Sequence, residues 1–228
     1  MSRVGLTREE IAVRVAKELK DGDYVNLGQG IPTLVGNYIP PDLDVMLHGE
    51  NGILGFGPQP PKEAWDKDLI NAGKEAVTLL SGAAFFPSEV SFMMLRGGHV
   101  DICVLGAYQV SERGDIANWR APGRTFGGMG GAMDIAAGAK YLIAMMTHVH
   151  KDGSLKIVKE CAYPLTAKQA VNRIISDLAV IDVTAEGLVL REIVAGLSVE
   201  ELQEMTEPAL KVARDLIPLE VSGTKVSG

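Results

Sequence analysis

The residue best placed for covalent chemistry in this sequence is a glutamate at the end of an apolar run. Val45-Met46-Leu47-His48-Gly49-Glu50-Asn51-Gly52 passes from apolar residues to an acid and then to a turn dipeptide. That order predicts a buried strand that ends by delivering one side chain into a crevice. An ionised carboxylate there can serve as a base or as a nucleophile, and its attack on an acyl group gives a mixed anhydride. The competing reading of Glu50 is a surface acid at a turn. The second feature is Gly127-Gly128-Met129-Gly130-Gly131, with four glycines in five positions. Bare backbone N–H groups can approach a ligand there without side-chain interference. A helix predicted just after the loop would add a positive dipole end, and such donors stabilise a developing oxyanion. A flexible turn or tight helix–strand packing would use the same glycines.

Other groups carry less. Gly28-Gln29-Gly30 follows an apolar run as half of a dinucleotide fingerprint, but Thr33 stands where the third glycine belongs, and Met133 fails the later loop in the same way. No phosphate loop of the Gly-Lys-Ser/Thr type occurs. His148 and His150 would share one strand face and could hold a metal, yet no third ligand is near and Lys151 would oppose a cation. No metal site is therefore expected. Cys103, inside Ile102-Cys103-Val104-Leu105, reads as a small buried hydrophobe, and the pairs Met93-Met94 and Met145-Met146 read as core filler.

The elements that must position these residues alternate between strand and helix. Thr7-Arg8-Glu9-Glu10 is a capping box, and Ile11, Val15 and Leu19 continue it as one apolar stripe that stops by Gly22. Strands are predicted over 24–27, 45–47, 77–80, 100–105, 141–146, 178–183 and 188–194. Helices are predicted from Pro32 to the Pro40-Pro41 stop, over 87–95, 132–139 and 167–175, and after Ser198. Residues 55–63 read as a loop, 109–119 as a hairpin or irregular arm, and the tail from Leu216 as loose. The alternation predicts an α/β fold: an open, mostly parallel sheet with helices on both faces. Residues 1–228 show no repeat and no linker, so a single domain is the simplest account.

Composition narrows the function classes. Among 228 residues, 46% are apolar and only 5% aromatic, so the core must be aliphatic, as suits strands buried on both faces. The net charge of −7 opposes nucleic acid as a partner, because phosphate contacts need a basic face. No apolar run is long enough to span a membrane, and the first residues have no apolar signal core. Two cysteines make no disulfide framework, which points to a reducing cytoplasm.

Glu50 and the glycine loop together open a longer match. Glu50-Asn51-Gly52-Ile53-Leu54-Gly55-Phe56-Gly57-Pro58 resembles the Ser-Glu-Asn-Gly block in β subunits of family I 3-oxoacid CoA-transferases. The resemblance continues through Gly30-Ile31-Pro32-Thr33, Asp68 to Lys74, Arg96-Gly97-Gly98-His99, Ala117-Asn118-Trp119, Gly128 to Asp134 and Lys159-Glu160-Cys161. It spans residues 7 to 205 or so, in one order.

The resemblance implies a ping-pong transfer through a Glu50–CoA thioester, with Gly130 and Gly131 amides holding the tetrahedral oxyanion. It implies that Gly28 and Gly30 lie near CoA, and that Lys74 and Asn118 face the CoA or acyl pocket, with Lys74 keeping Glu50 ionised. Coenzyme A would be substrate and covalent intermediate, with no permanently bound cofactor. The implied partners are a separate α subunit, as α2β2, and an acyl-CoA with a short carboxylic or 3-oxo acid. Three positions depart from the pattern: Gly49 replaces the usual Ser, Gln29 an aliphatic residue, and Arg124-Thr125-Phe126-Gly127 is unusual before the loop. Two alternatives stay open: a thioester hydrolase on the same fold, in which water intercepts the intermediate, and a non-catalytic scaffold subunit.

Overall fold

The computed structural model describes residues 4–121, 123 and 128–221. Gly127 and the Arg124-Thr125-Phe126 run before it lie outside the described residues. The chain begins with α1 (Arg8–Ala16), β1 (Tyr24–Leu27) and a 3-10 helix (Ile31–Asn37). It continues with β2 (Met46–Gly49), β3 (Ile53–Phe56), a 3-10 turn (Lys62–Ala64), β4 (Leu79–Phe85) and α2 (Ser88–Arg96). Then come β5 (Ile102–Leu105), β6 (Gln109–Ser111), β7 (Ile116–Ala117), α3 (Ala132–Gly138), β8 (Tyr141–Met146) and β9 (Ile157–Val158). The last part holds β10 (Arg173–Ser176), β11 (Ala179–Thr184), β12 (Gly187–Val194), α4 (Val199–Glu204) and β13 (Leu210–Leu219).

Ten strands form one sheet in the order β13-β12-β11-β10-β8-β5-β1-β2-β3-β4. The centre, β10-β8-β5-β1-β2, is parallel throughout. A hairpin partner extends it on each side: β3 and β4 run antiparallel beyond β2, and β11 and β12 beyond β10. A small second sheet has the order β7-β6-β9.

Every residue of β5 is buried, and so are Leu142 to Met146 of β8. Successive strand residues point to opposite faces, so both faces of the centre are covered. The cover is helical: α1 packs with the first 3-10 helix, and α2 packs with α3. Each fully buried aliphatic side chain in these strands contributes about 1.5–3 kcal/mol.

Both capping boxes form. Thr7 Oγ1 accepts the Glu10 N–H at 3.2 Å while Glu10 returns the bond at 2.7 Å, and Ser198 pairs with Glu201 in the same way. α1 is pinned to the sheet by charge. Arg14 donates to Glu192 of β12 from Nε at 2.8 Å and from Nη2 at 2.5 Å, and to Glu18 at 2.6 Å. Arg173 of β10 joins Glu18 to Asp182 of β11.

Several expected elements differ. Residues 167–172 form no helix, because their amides are held elsewhere: Ala170 and Val171 donate to Gly114 O at 3.0 Å, and Gln169 takes a φ of +50°. The expected strand at 45–47 starts one residue later, runs to Gly49 and turns back into β3, whose last two residues fall in the 55–63 stretch read as a loop. The strand expected at 77–80 begins at Leu79 and runs on to Phe85. The helix begun at Pro32 is 3-10, not α. Of the tail expected to be loose, residues 216–219 belong to β13, whose residues 217–219 pair with 192–194 of β12, and residues 222–228 lie outside the described residues.

Candidate active site

Parallel strands β1, β5 and β8 all end on one edge, and a cavity of about 490 Å³ opens there. This is the crevice outside the carboxyl ends of the strands, where open α/β sheets place their ligands. Glu50 enters it from the tip of the β2–β3 hairpin. Gly49 and Ile53 are the last paired residues, so Glu50, Asn51 and Gly52 make a three-residue loop. Such loops need a left-handed residue at their end, and Gly52 supplies it with a φ of +99°. A Cβ on Gly52 would also collide with Phe86 O. Asn51 Nδ2 donates to Ile70 O at 2.8 Å and ties the loop down.

Beneath the hairpin runs a buried polar chain. Asn26 Nδ2 donates to His48 O at 3.0 Å, which orients the amide, and it meets His48 Nδ1 at 3.0 Å. Nδ1 therefore accepts, and the imidazole proton sits on Nε2, 2.8 Å from Ser91 Oγ. Ser91 in turn donates to Gly49 O at 2.9 Å, one peptide before the glutamate. Burial lowers the His48 pKa, which keeps the ring neutral. Gly49 is required by packing: a Cβ there would lie 2.6 Å from Asn51 Oδ1 and 2.6 Å from Ile53 Cγ2.

The Glu50 carboxyl is half-buried, and its Oε2 is buried with no hydrogen-bond partner among the described residues. Its pKa is raised, first by burial and then by the charge of Asp134. Lys74 has no part in this, so the expectation that Lys74 keeps Glu50 ionised is corrected: the charge that reaches Glu50 is acidic. The carboxyl lies directly against Gly131. A Cβ at that glycine would overlap Oε2, stand 3.0 Å from Cδ and come within 2.9 Å of Phe92 Cε1. Gly131 immediately precedes α3, and Gly130 before it has a φ of +49°.

The structure thus brings Glu50, Gly130, Gly131, Gly28 and Asn118 to one cavity. Gly28 also has a packing role, since a Cβ there would meet Leu105 Cδ2 at 2.8 Å. Asn118 Oδ1 accepts from Thr166 Oγ1 at 2.6 Å. Gly30 and Lys74 are not on the cavity wall. Gly30 caps the 3-10 helix at a φ of +89°, and Lys74 closes a turn with a φ of +63°. Gln29 Nε2 joins their two loops by donating to Ala72 O at 3.0 Å.

His148 is a core histidine: Ser176 Oγ and Thr206 Oγ1 each lie 2.9 Å from a ring nitrogen, which leaves none for a metal. Burial lowers its pKa to about 4. Cys103 is buried in β5, with its thiol pushed up to about 12. The residues missed from sequence are His48, Ser91, Asn26 and Lys156. Only Lys156 left a signal, a cation set between Leu155 and Ile157.

The wall of this cavity is cationic in an acidic protein: Arg8, Lys151 and Lys156 line it, and Glu50 is the sole carboxylate among its described residues. A lone carboxylate with no partner for its buried oxygen among the described residues, bare glycine amides and cationic walls suit acyl transfer from an anionic donor. Comparison with known proteins agrees. The family model for coenzyme A transferase matches residues 8–205. The chain is 53% identical over 212 residues to the B subunit of 3-oxoadipate CoA-transferase from Acinetobacter baylyi, covering 92% of this chain and 97% of that protein. It is 48% identical over 210 residues to the B subunit of a probable succinyl-CoA:3-ketoacid coenzyme A transferase from Bacillus subtilis, with coverage of 92% and 97%. An acyl-CoA transferase apoenzyme from Escherichia coli O157:H7 shares the fold, with a TM-score of 0.76 at 22% identity. The match covers 94% of this chain and 43% of that longer one. On its sequence and its fold, the chain belongs to the coenzyme A transferase family.

Proposed function

We propose that this chain is the β subunit of a CoA-transferase in which Glu50 carries coenzyme A. The Glu50 carboxylate attacks the thioester carbonyl of an acyl-CoA. The C–S bond breaks, leaving an acyl–glutamyl anhydride and CoA thiolate. The thiolate attacks Glu50 Cδ and expels the first acid as its carboxylate, so that a Glu50–CoA thioester remains. An acceptor carboxylate reverses these steps and leaves as the new acyl-CoA. Gly130 and Gly131 amides hold the oxyanion of each tetrahedral stage, where loss of one such donor typically costs about 3–4 kcal/mol of barrier.

The observation that carries this reading is the buried Glu50 Oε2, without a hydrogen-bond partner among the described residues and seated against Gly131. Gly28 and Asn118 would contact CoA within the cavity. Gly30 lies between the wall residues Gln29 and Ile31, Lys74 lies two positions after the wall residue Ala72, and both would meet the outer part of the cofactor. The acids are short carboxylic or 3-oxo acids, in keeping with the named substrates of the two relatives.

We further propose an α subunit in an α2β2 assembly, since both relatives are named as one subunit of a larger enzyme. β4 is an edge strand that exposes Leu79, Leu80 and Phe85, and α2 exposes Val90 and Met93. Such an apolar edge calls for cover. One core cluster runs from Leu6 to Leu219, and residues 1–228 are read as one domain. No described helix is long and apolar enough to cross a membrane, and the free thiols suit a cytoplasmic setting.

The test is two-substrate kinetics on the chain assembled with its α subunit. Parallel-line patterns are expected. Intersecting lines would refute a covalent CoA carrier, transfer by this chain unaided would refute the partner, and release of free CoA without an acceptor acid would indicate a hydrolase.

A further inference from the structure

The cavity holds a second built feature that the transfer steps do not use. Lys156 is 7% exposed, and it lines the same cavity as Glu50. Its backbone is fixed by the small sheet, where Val110 N donates to Lys156 O at 2.9 Å. Its ammonium has three donors, yet its one partner among the described residues is Thr147 Oγ1, at a long 3.4 Å. Thr147 follows the carboxyl end of β8 and is itself part of the cavity wall. The opposite charge that reaches Lys156 is Asp177, with no ion pair formed among the described residues; Asp177 Oδ1 instead accepts the His148 N–H at 2.7 Å. Beside Lys156 on the wall is His150, whose Nε2 is buried and has no partner among the described residues.

A buried ammonium with one weak bond and a buried imidazole nitrogen with none are costly to leave unmet. A single carboxylate would satisfy both, accepting from Lys156 Nζ and from His150 Nε2–H in the neutral tautomer that carries its proton there; burial and then the charge of Lys156 lower the His150 pKa, so the ring donates as imidazole and not as imidazolium. We propose that Lys156 and His150 form a specificity subsite for the distal carboxylate of a dicarboxylic acyl group whose thioester end faces Glu50. This deepens the transferase reading and rests on it. Burial lowers the Lys156 pKa to about 8, which leaves the ammonium mostly charged at neutral pH. A phosphate of CoA is the other source of an anion, but the thiol end of CoA must reach Glu50, and the phosphates lie at the far end of the pantetheine arm.

The test compares succinyl-CoA with butyryl-CoA, which replaces the distal carboxylate by a methyl group of similar size. Both donors are offered to the assembled complex with one acceptor acid. For Lys156→Met, the ratio of kcat/KM for succinyl-CoA over butyryl-CoA should fall roughly 10- to 100-fold, as expected for loss of a charge-assisted bond. His150→Phe should lower the same ratio by a smaller factor, and it serves alone if Lys156→Met does not fold. A ratio within twofold of wild type in the folded variants overturns the subsite. Weakened binding of CoA itself by Lys156→Met, measured by calorimetry, would assign the anion to a phosphate and also overturn it. If wild type transfers CoA from neither donor, the transferase reading fails; if it transfers from both and the variants do not discriminate, only the subsite fails.

Discussion

Adding one methyl group at Gly131 tests whether Glu50 works where the structure places it. Gly131 has a φ of −83° and a ψ of 1°, in the bridge region that alanine can also occupy, so Gly131→Ala carries no left-handed backbone strain. It also keeps the N–H, so any oxyanion bond from that amide survives. What changes is space. The new Cβ would overlap Glu50 Oε2, with Cδ at 3.0 Å and Phe92 Cε1 at 2.9 Å. The glutamate is the softer neighbour and must swing away. Turning a side chain about 30° off its rotamer costs about 0.5–1.5 kcal/mol, and overpacking as a whole costs about 1–3 kcal/mol. Displacing a reacting carboxylate by about 1 Å costs about 10²-fold in rate. Steady-state assay of the assembled complex should therefore show kcat/KM lower by about 10²-fold. Thermal denaturation should fall by only a few degrees, at about 2–4 °C per kcal/mol for a chain of this size. Wild-type turnover in a folded Gly131→Ala complex would refute the reasoning, because the carboxylate would then be reacting from somewhere else.

Glu50 should trade stability for reactivity. Burial and Asp134 raise its folded pKa above the ordinary 4.5, so its protonated form favours the fold. That contribution is full below pH 4.5 and is lost as the pH rises through the folded pKa. Glu50→Gln should therefore abolish transfer yet gain about 0.5–2 kcal/mol at pH 7, with the gain vanishing below pH 4.5 in denaturant titrations. Ser91→Ala leaves His48 Nε2 and Gly49 O unpaired in the interior, and urea unfolding should report a loss of about 1–3 kcal/mol. Arg14→Ala strands Glu192 without its bidentate partner, and the same measurement should show a loss of about 3–5 kcal/mol.

What the sequence made legible was local. Thr7 with Glu10 and Ser198 with Glu201 announce their helices, because a cap is written within four residues. Tyr24–Leu27 and Tyr141–Met146 match their strands to the residue; the second is an apolar run buried from Leu142 to Met146, as a strand covered on both faces should be. Gly131 read as permissive backbone. Its actual constraint, a carboxylate in the space of its Cβ, comes from a residue 81 positions away by number and is invisible to spacing. The misses share that character. Residues 167–172 look helical until Gly114 O claims their amides. β13 hides because Val212 and Ile217 face outward, beside Lys211, Arg214 and Asp215, on an edge with little to bury. The family resemblance made Lys74 a helper of Glu50, but in the folded chain the charge that acts on Glu50 is that of Asp134.

The claim that Glu50 is the carrier of coenzyme A has one direct measurement. The assembled complex is mixed with acyl-CoA in the absence of an acceptor acid, digested, and subjected to mass spectrometry. A CoA adduct, formed with loss of water, should map to the peptide that contains Glu50 and should be absent from Glu50→Gln. Turnover with the adduct on any other residue, or with no adduct at all, would contradict it.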